Sequence, residues 1–141
     1  MNIRNMMESD HEVISDLLSQ LGYPDTEKFI RQKINTLLNN PNEYAVVLEK
    51  EEKNVVGFIS IHIIPQIALE GDFARISYFS VNENFRSQGA GKLLEEYCEQ
   101  IAKERNCDRI ELHCNYKREK AHRFYYRQGY TESPKYLVKK L

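Results

Sequence analysis

An arginine, two glycines and a lysine stand at close, fixed offsets in Arg86-Ser87-Gln88-Gly89-Ala90-Gly91-Lys92, between an alternating apolar run and a strongly helical one. That order reads as strand, anion-binding loop and helix. A helix leaves its first N–H groups without intrahelical acceptors, and its aligned peptide dipoles place roughly half a positive charge at that end. Gly89 and Gly91 carry no Cβ, so phosphate oxygens can come close to the main chain, while Arg86 and Lys92 add fixed charge. The chemistry favoured is the grip of a pyrophosphate. Residue identity excludes two other glycine loops. The nucleoside-triphosphate loop G-x-x-x-x-G-K-[ST] needs glycine where Arg86 stands and Ser or Thr where Leu93 stands, and the dinucleotide fingerprint G-x-G-x-x-G needs glycine at Leu94.

Other chemistries find less support. His11, His62, His113 and His122 show no ligand spacing, so no metal site is expected. Cys98, Cys107 and Cys114 are odd in number and lack a C-x-x-C pair, which argues against both a disulfide framework and a zinc knuckle and favours a reducing, cytoplasmic setting. Cys114 has no evident base beside it in sequence and reads as a buried strand cysteine. Lys+Arg 20 against Asp+Glu 21 gives a net charge of -1, so neither nucleic acid nor an anionic membrane surface is an expected partner. The start of the chain has no apolar signal core, and no run reaches the ~20 apolar residues of a membrane span.

The elements that must position the loop follow from periodicity. The 141 residues suit one domain, 1–141. A short strand at Ile3-Arg4-Asn5 precedes Ser9-Asp10-His11-Glu12, which has the S-x-x-E form of a capping box, and Val13, Ile14, Leu17, Leu18 and Leu21 then recur at helical spacing up to Gly22. Pro24-Asp25 is expected to open a second helix carrying Ile30, Ile34, Leu37 and Leu38. Strands are expected over 44–48 and 55–64, joined by a charged turn over 49–54, and a third over 73–81 leads into the glycine loop. Behind the loop, Leu93, Leu94, Tyr97, Cys98, Ile101 and Ala102 form the apolar stripe of a helix that packs on a sheet. A strand over 110–114 implies a right-handed crossover and a parallel pair with 73–81. A helix bearing Ala121, Phe124 and Tyr125 and a closing strand over 136–141 complete a mixed α/β order, β-α-α-β-β-β-α-β-α-β.

Arg86 to Gly91 has the form R-x-x-G-x-G, and Ala121-His122-Arg123-Phe124-Tyr125 through Gly129-Tyr130 has the form A-x-x-F-Y-x-x-x-G-[FY]. In these two motifs, and in the order of elements over most of the chain, the sequence resembles the GNAT N-acetyltransferase superfamily, and its A-H-R-F-Y wording is similar to small-molecule aminoalkylphosphonate and aminoglycoside acetyltransferases. The resemblance implies direct transfer of an acetyl group from acetyl-CoA to a primary amine of a small molecule. It implies that the pyrophosphate meets the main chain of Arg86, Ser87, Gln88, Gly89, Ala90, Gly91 and Lys92, and that the pantetheine arm runs along Phe79, Ser80 and Val81, where the strand splays open. Tyr125 falls at the family's general-acid position, and a phenol with a pKa around 10 keeps its proton at neutral pH. Asn115 either bonds the pantetheine arm or caps the next helix; Arg118 and Arg123, with Lys117, Lys120 and Arg127, make a basic cluster suited to the cofactor's 3′-phosphate. Homodimers are frequent among the resembled proteins.

Two departures stand out. Arg118 replaces the asparagine many relatives carry, and Ser77 and Tyr78 stand where many relatives place a glutamate base. An alkylammonium with a pKa near 10.4 is only about one part in a thousand neutral at pH 7, so something must take its proton. Glu70, Asp72, Glu83 and His62 are the substitutes within reach, directly or through water. Two other readings stay open: a protein N-terminus or lysine as acceptor, and a CoA-binding module without catalysis.

Overall fold

The computed structural model describes every residue except Glu52, Tyr116, Pro134 and Lys135. In chain order it holds β1 (Asn2–Asn5), α1 (His11–Leu21), α2 (Ile30–Leu38), β2 (Glu43–Glu49), β3 (Val55–Ile64), β4 (Phe73–Val81), α3 (Ala90–Glu104), β5 (Arg109–Leu112) and α4 (Glu119–Arg127). The chain divides into two compact units, Met1–Glu111 and Leu112–Leu141. Glu52, in the turn expected over 49–54, and Tyr116, between the two expected motifs, lie outside the described residues.

The sheet runs in the order β1-β2-β3-β4-β5, and its first four strands are antiparallel neighbours. β5 enters differently. The Asp108 N–H donates to the Asp72 carbonyl at 2.8 Å, and Arg75 Nε donates to Glu111 Oε1 at 2.8 Å. The residue before each strand is thus level with its counterpart, as is the third residue within each, so β4 and β5 run the same way, as the crossover through α3 requires. Gly71 permits this close approach: a Cβ there would lie 2.7 Å from the Asp108 nitrogen and 2.8 Å from the Asn106 carbonyl oxygen.

β3 is buried along nearly its whole length, because helices cover both faces of the sheet. On one face Ala45, Val47 and Phe58 pack with Ile14, Leu17 and Leu18 of α1 and Ile30 and Ile34 of α2. On the other, α3 lies against β3 and β4 and buries Ala90, Leu94, Cys98, Ile101 and Ala102. Each fully buried Leu or Ile stabilises the fold by about 1.5–3 kcal/mol. Glu95 is buried in the same stripe, which the apolar pattern does not announce, while Leu93 is 40% exposed.

Four expectations need correction. The cap of the first helix is Asp10, not Ser9: residues Glu8–Asp10 form a 3-10 turn, and the Met7 N–H donates to Asp10 Oδ2 at 2.7 Å. Arg4 fixes that carboxylate with a fork of 2.9 and 2.8 Å bonds, a long-range partner that a local capping motif cannot reveal. The second helix opens at Ile30 rather than Pro24-Asp25, because Asp25 is left-handed at φ 62 and Thr26 is buried, its hydroxyl 2.7 Å from that of Ser15. β5 stops at Leu112, before His113 and Cys114. No strand forms over 136–141, where Leu137 is 86% and Val138 69% exposed. Strand propensity expresses the fit of a side chain to a half-buried surface, and these side chains bury little. The order therefore ends on α4, within the same mixed α/β class.

Candidate active site

The glycine loop joins β4 to α3 by way of a 3-10 turn, Glu83–Phe85, capped by Asn82 Oδ1, which accepts from the Asn84 N–H at 2.9 Å. Arg86, Ser87, Gln88 and Gly89 are all exposed. Ser87 has φ 67 and Gly89 φ 83, so the chain twice enters the left-handed region before the helix starts. Glycine adopts that conformation at little cost and serine does not. The Leu93 N–H donates to the Gly89 carbonyl at 3.1 Å, so the N–H groups of Ala90, Gly91 and Lys92 precede the first helical bond. A Cβ built at Gly89 would meet nothing within 4 Å, which leaves the approach to these donors open.

The cations of the loop are placed by its neighbours. Arg86 Nε donates to the Val81 carbonyl at 3.3 Å, and Lys92 Nζ lies 3.8 Å from Glu96 Oε1 with its side chain 65% exposed. Lys50 was not anticipated. Its Nζ sits 5.0 Å from the centre of the Phe85 ring, because the Asn82 N–H donates to the Val56 carbonyl at 2.7 Å and draws the end of the β2–β3 hairpin beside the turn. Only the strand register could have disclosed it.

β4 itself is built to open. Ser60 pairs with Tyr78 but Ile61 pairs with Ile76, so Ser77 is an extra residue bulging from the strand. β5, four residues long, accompanies only the beginning of the nine-residue β4. Beyond the bulge β4 continues through Phe79, Ser80 and Val81 into the glycine loop. The Ser80 side chain is buried and donates to the Leu17 carbonyl at 3.1 Å, which ties β4 to α1.

The α1–α2 face of the sheet carries the polar groups beside this opening. Tyr78 and Tyr23, both about half exposed, meet edge to face with ring centres 5.3 Å apart. One register row further along the strands, Glu43, His62 and Arg75 stand opposite one another, and Arg75 reaches Glu111. His62 Nδ1 lies 2.5 Å from Glu43 Oε1 without an in-line hydrogen bond. Burial lifts the Glu43 carboxyl above its ordinary range, and His62 pulls it the other way. The other proposed bases are placed less favourably. Glu83 lies past the end of β4 with its N–H on Gln20 Oε1, Asp72 lies ahead of the strand, and Glu70 is exposed in the preceding loop.

The second unit, taken by itself, holds the remaining predicted residues. Asn115 Oδ1 accepts from the Lys117 N–H at 2.9 Å and its carbonyl accepts from the Arg118 N–H at 3.0 Å, so the side chain shapes the turn into α4. Arg118 and Arg123 are exposed, and Arg118 Nη1 lies 3.8 Å from Cys114 Sγ. Burial raises the Cys114 thiol more than Arg118 lowers it, the opposite of what a nucleophile needs. Tyr125 is half-buried, with ring centres of Phe124 and Tyr130 at 5.3 and 5.4 Å. Among the described residues no cluster of three His, Cys, Asp or Glu could hold a metal ion, and no helix is long and apolar enough to cross a membrane.

Residues 9–130 match the Acetyltransferase (GNAT) family. The chain belongs to that family. GNAT enzymes recur among its relatives: over 128 residues it is 32% identical to the aminoalkylphosphonate N-acetyltransferase of Salmonella typhimurium, covering 89% of this chain and 79% of that one. Among solved structures, a transcriptional regulator from Bacillus halodurans superposes with a TM-score of 0.91 at 24% identity, covering 99% of each chain. The aminoglycoside acetyltransferase meta-AAC0020 from an uncultured soil sample superposes with a TM-score of 0.78 at 24% identity, covering 99% of this chain and 95% of that one. These two likenesses establish the GNAT fold. By family and by its curated relative the chain is an N-acetyltransferase.

Proposed function

We propose that the protein transfers an acetyl group from acetyl-CoA to the primary amine of a small molecule. The observation that carries this reading is the juncture of β4 and α3, where a left-handed Gly89 presents the first N–H groups of a helix beside the bulged edge of β4. An extended amide-bearing arm suits that edge and a pyrophosphate suits those donors. When bound, the cosubstrate supplies an activated acetyl thioester. In this reading Arg86, Ser87, Gln88, Gly89, Ala90, Gly91 and Lys92 hold its pyrophosphate, and Phe79, Ser80 and Val81 align its arm by main-chain bonds. Asn115, Arg118 and Arg123 contribute further contacts, and Tyr125 donates a proton to the departing sulfur. The family match runs through the boundary at Glu111 and Leu112, which supports treating the two units as one domain. The name of the Salmonella relative makes aminoalkylphosphonates the first acceptors to try.

The absence of a strand glutamate at Ser77 and Tyr78 favours a second reading, a CoA-binding module without catalysis. Calorimetry with acetyl-CoA, followed by thiol release against a panel of amines, decides between them. Binding with thiol release is expected; binding without release under any amine would favour the module, and no binding would defeat both.

A further inference from the structure

Resting on the acetyl-transfer reading, we propose that His62, positioned by Glu43, is the group that takes the proton of the acceptor ammonium. The two residues are register partners on β2 and β3, with Nδ1 and Oε1 2.5 Å apart. Glu43 is only 11% exposed in its side chain, whereas His62 is 36% exposed, so the carboxylate backs the ring and the ring faces solvent. Nδ1 is buried beside Glu43, so Nε2 is the ring nitrogen that takes the proton in this proposal.

Placement supports the role. His62 shares the α1–α2 face of the sheet with Ser60 and Phe58, and Ser60 stands opposite Tyr78 at the bulge. His62 is two residues, about 7 Å, along β3 from Ser60, which sets it one row from Tyr78 at the bulge of β4. The charged groups facing His62 are Glu43 from β2 and Arg75 from β4, and Arg75 is held by Glu111 from β5. Two carboxylates against one guanidinium leave the row attractive to an ammonium.

The step balances without a further reactant. Neutral His62 takes one proton from the ammonium, and the freed lone pair attacks the acetyl carbonyl, forming the C–N bond. Collapse breaks the C–S bond, the second nitrogen proton is matched by the one delivered to sulfur, and His62 returns its proton to solvent.

The test compares wild type with His62→Gln by kcat/KM for the amine between pH 6 and about 9.5, a range below the amine's own pKa, with acetyl-CoA affinity measured in parallel. The expected result is a loss of about 10²-fold at pH 7 that shrinks as pH rises and the free amine forms unaided, with acetyl-CoA affinity unchanged. Glu43→Gln is expected to lose about tenfold with the same pH trend, as a positioning residue would. A pH-independent loss in both variants, or full activity of His62→Gln at pH 7, overturns the proposal while leaving acetyl transfer intact. Absence of thiol release by the wild type overturns both. Circular dichroism guards against misfolding, and a variant that fails this check is replaced by His62→Asn.

Discussion

The rings of Tyr23 and Tyr78 meet edge to face, 83° apart in plane and 5.3 Å between centres, and so join the end of α1 to the bulge of β4. The pair stands beside the opened strand edge with both rings about half exposed, a surface on which an ammonium can rest. Tyr78→Ala is expected to raise KM for the amine roughly tenfold, ~1.4 kcal/mol, with acetyl-CoA affinity unchanged, and Tyr78→Phe to behave nearly as wild type. Steady-state kinetics with each substrate varied in turn checks this, and an equal loss for both substrates would point to collapse of the strand instead.

Gly89 is tested by its conformation. At φ 83 an alanine costs about 1–2 kcal/mol, although its methyl would meet nothing. Gly89→Ala should therefore weaken acetyl-CoA binding about tenfold by calorimetry. Tight binding by this variant would mean that the donors ahead of α3 do not hold the pyrophosphate.

Tyr125→Phe keeps the ring that packs between Phe124 and Tyr130 and removes only the hydroxyl. Turnover is expected to fall ~10²-fold with cosubstrate affinity nearly unchanged. Equal turnover in thiol-release assays would remove Tyr125 from the mechanism.

Asp10 governs acid stability. Burial alone would raise its carboxyl, but the Arg4 fork and the Met7 N–H more than offset this and hold it below the ordinary range. A depressed folded pKa means the contribution is present above the unfolded value, about 3.9, and is lost as pH falls through the folded one. Thermal melts of wild type should thus drop more steeply below about pH 4 than those of Asp10→Asn, which should already be less stable at pH 7. Parallel curves would show that the pair carries no such linkage.

The strands over 55–64 and 73–81 were legible to the residue, because β-branched runs bounded by Pro65, Gly71 and the glycine loop leave little choice of register. The helix behind the loop was equally plain from its stripe, and the family from two motifs. What escaped reading depends on partners distant in sequence. Asp10 caps the first helix because Arg4 holds it, and Thr26 delays the second because Ser15 bonds it. Lys50 reaches the loop, and Glu43 reaches His62, only through pairing across β2 and β3. The tail over 136–141 shows the converse, strand-forming residues that find no surface to cover.

β5 spans four residues and β4 nine, so β5 can flank less than half of its neighbour. A strand edge of that kind can receive a ligand as well as another chain. Whatever occupies it tightly also shields the protein from sticking to its own copies, and at a hundredfold excess over Kd it would add about 2.7 kcal/mol against unfolding. The resting enzyme should therefore be hardiest where its cosubstrate is abundant, and most prone to clump where that supply fails.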